Sequence, residues 1–229
     1  MYFHFLIEDQ SGKELIRLIM EKLKAARPEA EIEYKLHHFK GEGNCPKKSE
    51  YKAMKNAPKT GALLNDLPNN LIGLRGLADW PNAALVVVVD ADKKDVEAFR
   101  EELRKLGDRF APKVDKIWAV AVQEIESWLL GDEQALRAAY PNAKTQLLRG
   151  YDENDDGNWE KLAEIVYPGG LTALNKEKKK KSYTVVGAQK MEWAQKIGAA
   201  LNLDANLSPS FQLFRDEIYR RIENALSNK

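Results

Sequence analysis

Two aspartates one residue apart, Asp90 and Asp92, follow a run of four valines at positions 86–89. Carboxylates this close repel each other unless a cation sits between them, and ligands that are all oxygen favour Mg²⁺ or Mn²⁺. Three more acids stand in comparable positions. Glu8 follows Phe5-Leu6-Ile7, while Glu124 and Glu126 follow Val120-Ala121-Val122. One or two divalent metals held by such a set suit phosphoryl transfer. Each acid alone also fits a helix N-cap or first turn, where the helix dipole favours negative charge. Their recurrence after apolar runs points instead to a shared metal site.

For these acids to meet, the runs before them must be strands of one sheet whose ends share an edge. The valine run reads as the buried central strand of a parallel sheet. In open α/β sheets, ligands bind at that carboxyl edge. If extended geometry lasts through Asp92, both of its carboxylates point to the same side. Further strands are expected over residues 2–7, 31–39 (alternating Ile32, Tyr34, Leu36, His38) and 116–122, with the valines inside 83–89. Helical spacing lies between them, over 12–26 (Leu15, Ile16, Ile19, Met20, Leu23), 63–77 and 95–106. Pro68 and two glycines weaken the second of these. The alternation predicts an α/β fold with a mostly parallel sheet of about four strands and flanking helices.

Beyond Glu124 no strand pattern recurs. Helices are expected near 124–130, 133–140, 159–166, 188–201 and 211–226, the last with Ser208 as N-cap and Pro209 in its first turn. An acidic tract, 152–156, and a basic one, 176–181, fall between helices. The expected division is an α/β core, residues 1–132, with a helical region, 133–229, packed on it.

With 44% hydrophobic and 31% charged residues, the 229-residue chain has the composition of an ordinary soluble protein. A formal net charge of +1 excludes a globally basic nucleic-acid binder but leaves room for a local patch. The single cysteine, Cys45, excludes a disulfide framework, and His37, His38 and Cys45 match no zinc spacing. Glu8 and Asp9 interrupt the one apolar start, and no run is long enough to span a bilayer, so a cytoplasmic protein is expected. Ser11-Gly12-Lys13 hints at a phosphate-binding loop. That reading fails, because the upstream glycine would fall at Ile7 and the hydroxyl at Glu14.

The placement of Glu8, Asp90 and Asp92, with Glu124 and Glu126 as later acids, resembles the Toprim domain. That module serves topoisomerases, bacterial primases and the overcoming-lysogenisation-defect (OLD) nucleases. The whole chain is more similar still to a Toprim-like bacterial family, domain of unknown function 4276. The stretches that carry the similarity are Ile7-Glu8-Asp9, His38-Phe39-Lys40-Gly41, Asp90-Ala91-Asp92, Glu124-Ile125-Glu126-Ser127-Trp128 continuing to Asp132, and Ser208-Pro209-Ser210-Phe211. The resemblance implies a Rossmann-like sheet and a Mg²⁺- or Mn²⁺-dependent nuclease acting on DNA or RNA. Asp90, Asp92 and one of Glu124 or Glu126 would hold metal, and Glu8 would hold a second ion or act as general base. OLD-type sites also use a downstream lysine near the scissile phosphate, here Lys190; the alternative is an ordinary exposed helix lysine. Two departures stand out: Asp9 replaces the usual glycine, and Gly12 stands where OLD nucleases often carry an acid, the nearest being Glu14. There is no topoisomerase tyrosine motif. Proteins of this kind resemble phage-defence effectors that work with a separate ABC- or SMC-type ATPase in trans.

Lys178, Lys179, Lys180 and Lys181, followed by Tyr183, form a candidate track for a nucleic-acid backbone with an aromatic ring to stack on a base. A solvated loop is the competing account. Lys47, Lys48, Lys52, Lys55 and Lys59 make a second basic stretch. Trp128, Leu129 and Leu130 are expected in the core. Two other functions compete with the nuclease. A metal-dependent glycosyltransferase would use Asp-x-Asp but leaves Glu8 and Glu-x-Glu-x-Trp without a role. A non-catalytic Toprim-like module would bind metal or a partner without turnover.

Overall fold

The computed structural model describes residues 1–51, 58–182 and 184–228. Four strands, β1 (Tyr2–Ile7), β2 (Glu33–His38), β3 (Ala83–Asp90) and β4 (Lys116–Ala121), form one sheet in the order β2-β1-β3-β4. All three pairings are parallel, giving the α/β, Rossmann-like architecture that the strand–helix alternation predicts. The valines of β3 have at most 1% of their surface exposed. A central strand needs apolar residues throughout because both of its faces are covered.

Each face has its own core. Phe3, Phe5, Ile7, Val86 and Val88 pack under α1 (Gln10–Ala26), whose stripe of Leu15, Ile16, Ile19, Met20 and Leu23 is buried as its spacing requires. Leu6, Leu85, Val87 and Val89 face α2 (Leu63–Gly73) and α3 (Val96–Phe110). The α2 helix stops at Gly73, short of the expected Leu77. A 3₁₀ segment, Arg75–Asp79, follows it.

After β4 the described chain is helical: α4 (Glu126–Leu130), α5 (Glu133–Ala139), α6 (Asn158–Val166), α7 (Gly170–Lys181), α8 (Thr184–Ala200) and α9 (Pro209–Ser227). Its large apolar residues, Trp128, Leu162, Trp193, Phe211 and Ile218, belong to the same cluster as the α1 face of the sheet. The helical region thus extends the first core. It packs α8 along α1, where Gly198 admits Leu18 so closely that a Cβ there would lie 2.9 Å from its Cδ1. Among the described residues no helix is long and apolar enough to cross a membrane.

Two stretches far apart in the chain are fastened together inside this region. The Trp128 indole donates to Ser210 Oγ (2.9 Å) and stacks on Phe214 at 5.0 Å between centroids. A Cβ on Gly131 would lie 2.7 Å from the Ser208 nitrogen, so only glycine allows the approach. Ser208 caps α9 as expected, its hydroxyl accepting from Phe211 N–H.

The basic tract 176–181 lies within α7 and does not separate helices, which corrects the sequence reading. Lysines at a helix C-terminus are favoured by the dipole, so a charge run can be helical there without an apolar stripe.

Candidate active site

The chain passes from β1 outward to β2 and then crosses back to β3, so its direction switches between β1 and β3. The register pairs Ile7 with Val88 and Asp90 with Ala121, which levels the ends of β1, β3 and β4. A crevice is expected at the carboxyl edge of such a switch point. Glu8 stands on one side of it and Asp90 on the other.

The acids meet there. Asp90 N–H donates to Glu8 Oε2 (3.1 Å), and Ile125 N–H donates to Asp90 Oδ1 (2.9 Å). Lys190, from α8, donates to Glu126 Oε2 (3.2 Å) and Glu124 Oε1 (3.5 Å). Trp159 N–H, from the first turn of α6, donates to Glu124 Oε2 (3.1 Å). Glu8, Asp90, Glu124, Glu126 and Lys190 therefore form one cluster drawn from four segments of the chain. Lys190 is not an exposed helix lysine: its side chain keeps 19% of its surface, and that of Glu126 only 2%.

Negative charge is in excess. Burial pushes the Glu8 carboxyl up to about 7, opposed by the Asp90 amide and reinforced by Glu42, Asp9 and Asp92. Burial also raises Glu124 to about 7, with Lys190 opposing and Glu126 adding to the rise. Asp90 is held well above the usual carboxylate range by burial and by the charges of Glu8 and Glu126. Glu126 is raised by burial against the pull of Lys190. For Lys190, burial works against the charged form, but Glu126, Glu124 and Asp90 outweigh it and raise its pKa. An ordinary ion pair would lower its acids while raising its base. Here both partners rise, because burial of the acids outweighs the pull of Lys190, which Glu124 and Glu126 share.

Asp92 is placed differently from Asp90. The strand ends at Asp90, and Asp92 takes a left-handed backbone (φ 48°) with its N–H on the Gln123 carbonyl (2.8 Å). The extended geometry that would have aligned the two carboxylates does not last. Asp92 is exposed and lines an outer cavity of about 690 Å³ together with Glu124.

Neighbouring polar residues have structural duties. Asp9 caps α1, accepting from Gly12 N–H and Ser11 Oγ (both 2.7 Å). Gly12 is a tight position, where a Cβ would lie 3.1 Å from both Asp9 Oδ1 and Ile7 Cγ2 and those side chains would have to give by a few tenths of an ångström. Glu14 pairs with Arg17. Asp132 caps α5 and accepts from Asn202 N–H (2.8 Å). Trp128, Leu129 and Leu130 are core, as expected.

The lysine run sits in the last turn of α7. Lys178 places its ammonium 5.6 Å from the centroid of the Trp159 ring, while Lys181 pairs with Glu177. Tyr183, Lys52 and Lys55 lie outside the described residues. The sequence reading missed Glu42, which follows β2, raises Glu8 and pairs with Lys94 (2.5 Å). Its position after a strand was the available signal. It also missed Trp159, whose adjacency to Glu124 has no trace in the chain order.

All the acid donors are hard oxygens. Oε1 of Glu8 and Oδ2 of Asp90 have no protein donor among the described residues. Among those same residues, no three His, Cys, Asp or Glu side chains are already spaced as a metal cage. Comparison with curated proteins and with solved structures finds no match. A family model does match, over residues 7–219, a span that takes in every crevice acid and Lys190. By that match the chain belongs to the family described as Domain of unknown function (DUF4276).

Proposed function

We propose that this protein is a Mg²⁺- or Mn²⁺-dependent nuclease of the Toprim type, hydrolysing phosphodiester bonds in DNA or RNA. The observation that carries the reading is the convergence of Glu8, Asp90, Glu124 and Glu126 on one crevice where, among the described residues, Lys190 is the cation that pairs with them. Excess buried negative charge costs stability, and sites that retain it tend to be functional. The donor chemistry fits a hard divalent cation. Asp90, with Glu8 and one of Glu124 or Glu126, would hold it, and Asp92 would reach it from the mouth. When bound, the cation supplies polarisation of a phosphodiester and a more acidic water. Glu8 holds a second ion or takes up a proton as general base. Lys190, fixed by two glutamates, offsets charge developing on the phosphoryl oxygens. On resemblance alone, the protein acts in phage defence beside a separate ABC- or SMC-type ATPase supplied in trans.

The test combines cleavage and binding. Supercoiled DNA, linear DNA and structured RNA, including tRNA, are incubated with the protein in Mg²⁺ or Mn²⁺ beside Asp90→Ala and Glu8→Ala. Cleavage by the parent and its loss in both variants is expected. Equal cleavage in all three, or no heat of Mn²⁺ binding by calorimetry, would overturn the proposal. A second reading, a non-catalytic Toprim-like module, is favoured by the way Lys190 satisfies Glu124 and Glu126 without a metal. It predicts Asp90-dependent Mn²⁺ binding with no cleavage, also when an ATPase of the ABC or SMC type, if one is encoded beside it, is added.

A further inference from the structure

The outer cavity does something the metal crevice does not require. It opens beside Glu124, has a volume of about 690 Å³ and is lined by Asp92, Lys93, Gln123, Glu124, Trp159 and Glu160, among others. That volume lies within the range of small-ligand sites, about 300–1,000 Å³. Its wall carries more carboxylate than ammonium, and two of those carboxylates, Asp156 and Glu160, are not among the proposed metal ligands and repel a phosphate. The same acceptors suit the N–H donors on the edges of nucleobases, such as cytosine N4 or adenine N6. Trp159 supplies a flat apolar wall. Its main-chain N–H is tied to Glu124, which places the residue beside the crevice, and its half-buried side chain packs against the core. Positive charge begins just outside, where Lys178 approaches that ring and Lys179 to Lys181 complete the last turn of α7.

We infer that this cavity is a nucleobase pocket: it takes one unpaired base of a single-stranded nucleic acid, stacked on Trp159, with the flanking backbone along the end of α7. The inference deepens the nuclease reading by naming its substrate class, and it rests on that reading only for the fate of the adjoining phosphate. Stacking on an aromatic ring tolerates any base, because every base has a π-face. A base held in a duplex cannot enter such a pocket without being flipped out. Asp156 and Glu160, which hold no metal in this reading, keep phosphates from their side of the pocket and direct the backbone toward the lysines.

The test uses short DNA and RNA oligonucleotides with phosphorothioate linkages and a central 2-aminopurine, single-stranded or as duplexes, in Mg²⁺. The parent protein is compared with Trp159→Phe, Trp159→Ala and Trp159→Leu, each checked for folding by circular dichroism. Trp159→Leu keeps apolar bulk without a π-face, and it carries the test if the alanine variant does not fold. Quenching of 2-aminopurine by the parent, in single strands only, is expected. Loss of the quench and about 5- to 150-fold weaker binding in Trp159→Leu, with Trp159→Phe close to the parent, would support the pocket. Parent-like quenching and affinity in Trp159→Leu, duplexes bound as well as single strands, or no binding by the parent would overturn it. The DNA and RNA arms show which strand is taken. A Trp159-dependent quench with no cleavage of any natural substrate removes the nuclease reading and keeps the pocket. Asp90-dependent cleavage that is indifferent to Trp159 does the reverse.

Discussion

Glu153 and Glu126 are almost equally hidden, with 5% and 2% of their surface exposed, yet they sit in opposite surroundings. Glu153 receives donors alone: the hydroxyls of Ser208 (2.6 Å) and Ser210 (3.0 Å) and the Ser210 N–H (3.0 Å). It ties the turn before α6 to the N-terminus of α9, where the helix dipole also favours an anion. Glu126 instead shares one lysine with Glu124 and faces Asp90 across the crevice. A buried acid whose lone pairs are all met rigidifies the fold. One left in a surplus of like charge is a candidate for a functional site.

Four measurements sharpen that contrast or break it. On the nuclease reading proposed above, the largest effect is expected for Asp90→Ala, which should lower cleavage by about 10³-fold, equivalent to about 4 kcal/mol, with little loss of fold by circular dichroism. Next, Glu153→Ala should lower the free energy of urea unfolding by about 3 kcal/mol, because it strands buried donors. If Glu153→Ala is as stable as the parent, the matched site is not an anchor and the contrast fails.

Asp90→Asn keeps the shape and the acceptor for Ile125 N–H while removing a charge from the crowd. In metal-free buffer it should be about 1 kcal/mol more stable than the parent, roughly the free energy that a pKa displacement of one represents. Added Mn²⁺ should then stabilise the parent more than the variant. A destabilised Asp90→Asn in chelator would show that the surplus charge is already balanced.

The smallest effect concerns His4, on the sheet face away from α1. Burial, then the charges of Lys35 and His37, lowers its pKa from 6.5 to about 4. Because the folded value is the lower one, the unfolded chain takes the proton first. The stability that His4 contributes is therefore complete above about pH 6.5 and is lost as the pH falls toward 4. Urea midpoints measured from pH 7 to pH 4 should fall less steeply for His4→Leu than for the parent. Parallel curves would remove His4 as a source of acid sensitivity.

The sheet was legible because its strands are covered. β1 apart from His4, and β3 as far as Val89, are apolar, and that pattern needs no partner to be recognised. The helix α1 was legible from its stripe, and α9 from Ser208-Pro209. Glu8, Asp90, Glu124 and Glu126 were legible as acids following apolar runs, since parallel strands bring such positions to one edge. Lys190 was not legible in that way: Gly187-Ala188-Gln189 carries no chemical signal, and the packing of α8 along α1 sets its place. Glu153 looked like a member of a surface tract, because the serines that bury it come 55 residues later for Ser208 and 57 for Ser210. Asp92 parted from Asp90 because one left-handed residue is invisible in an apolar pattern.

Residue order by itself determined a parallel α/β sheet and the acids at its edge, because periodicity and strand ends are local properties of the chain. Tertiary structure alone decided which of those acids are crowded and which are matched, that a lysine from α8 joins them, and that Trp159 stands beside them. Charge balance in a buried site is a sum over neighbours, and neighbours are chosen by packing.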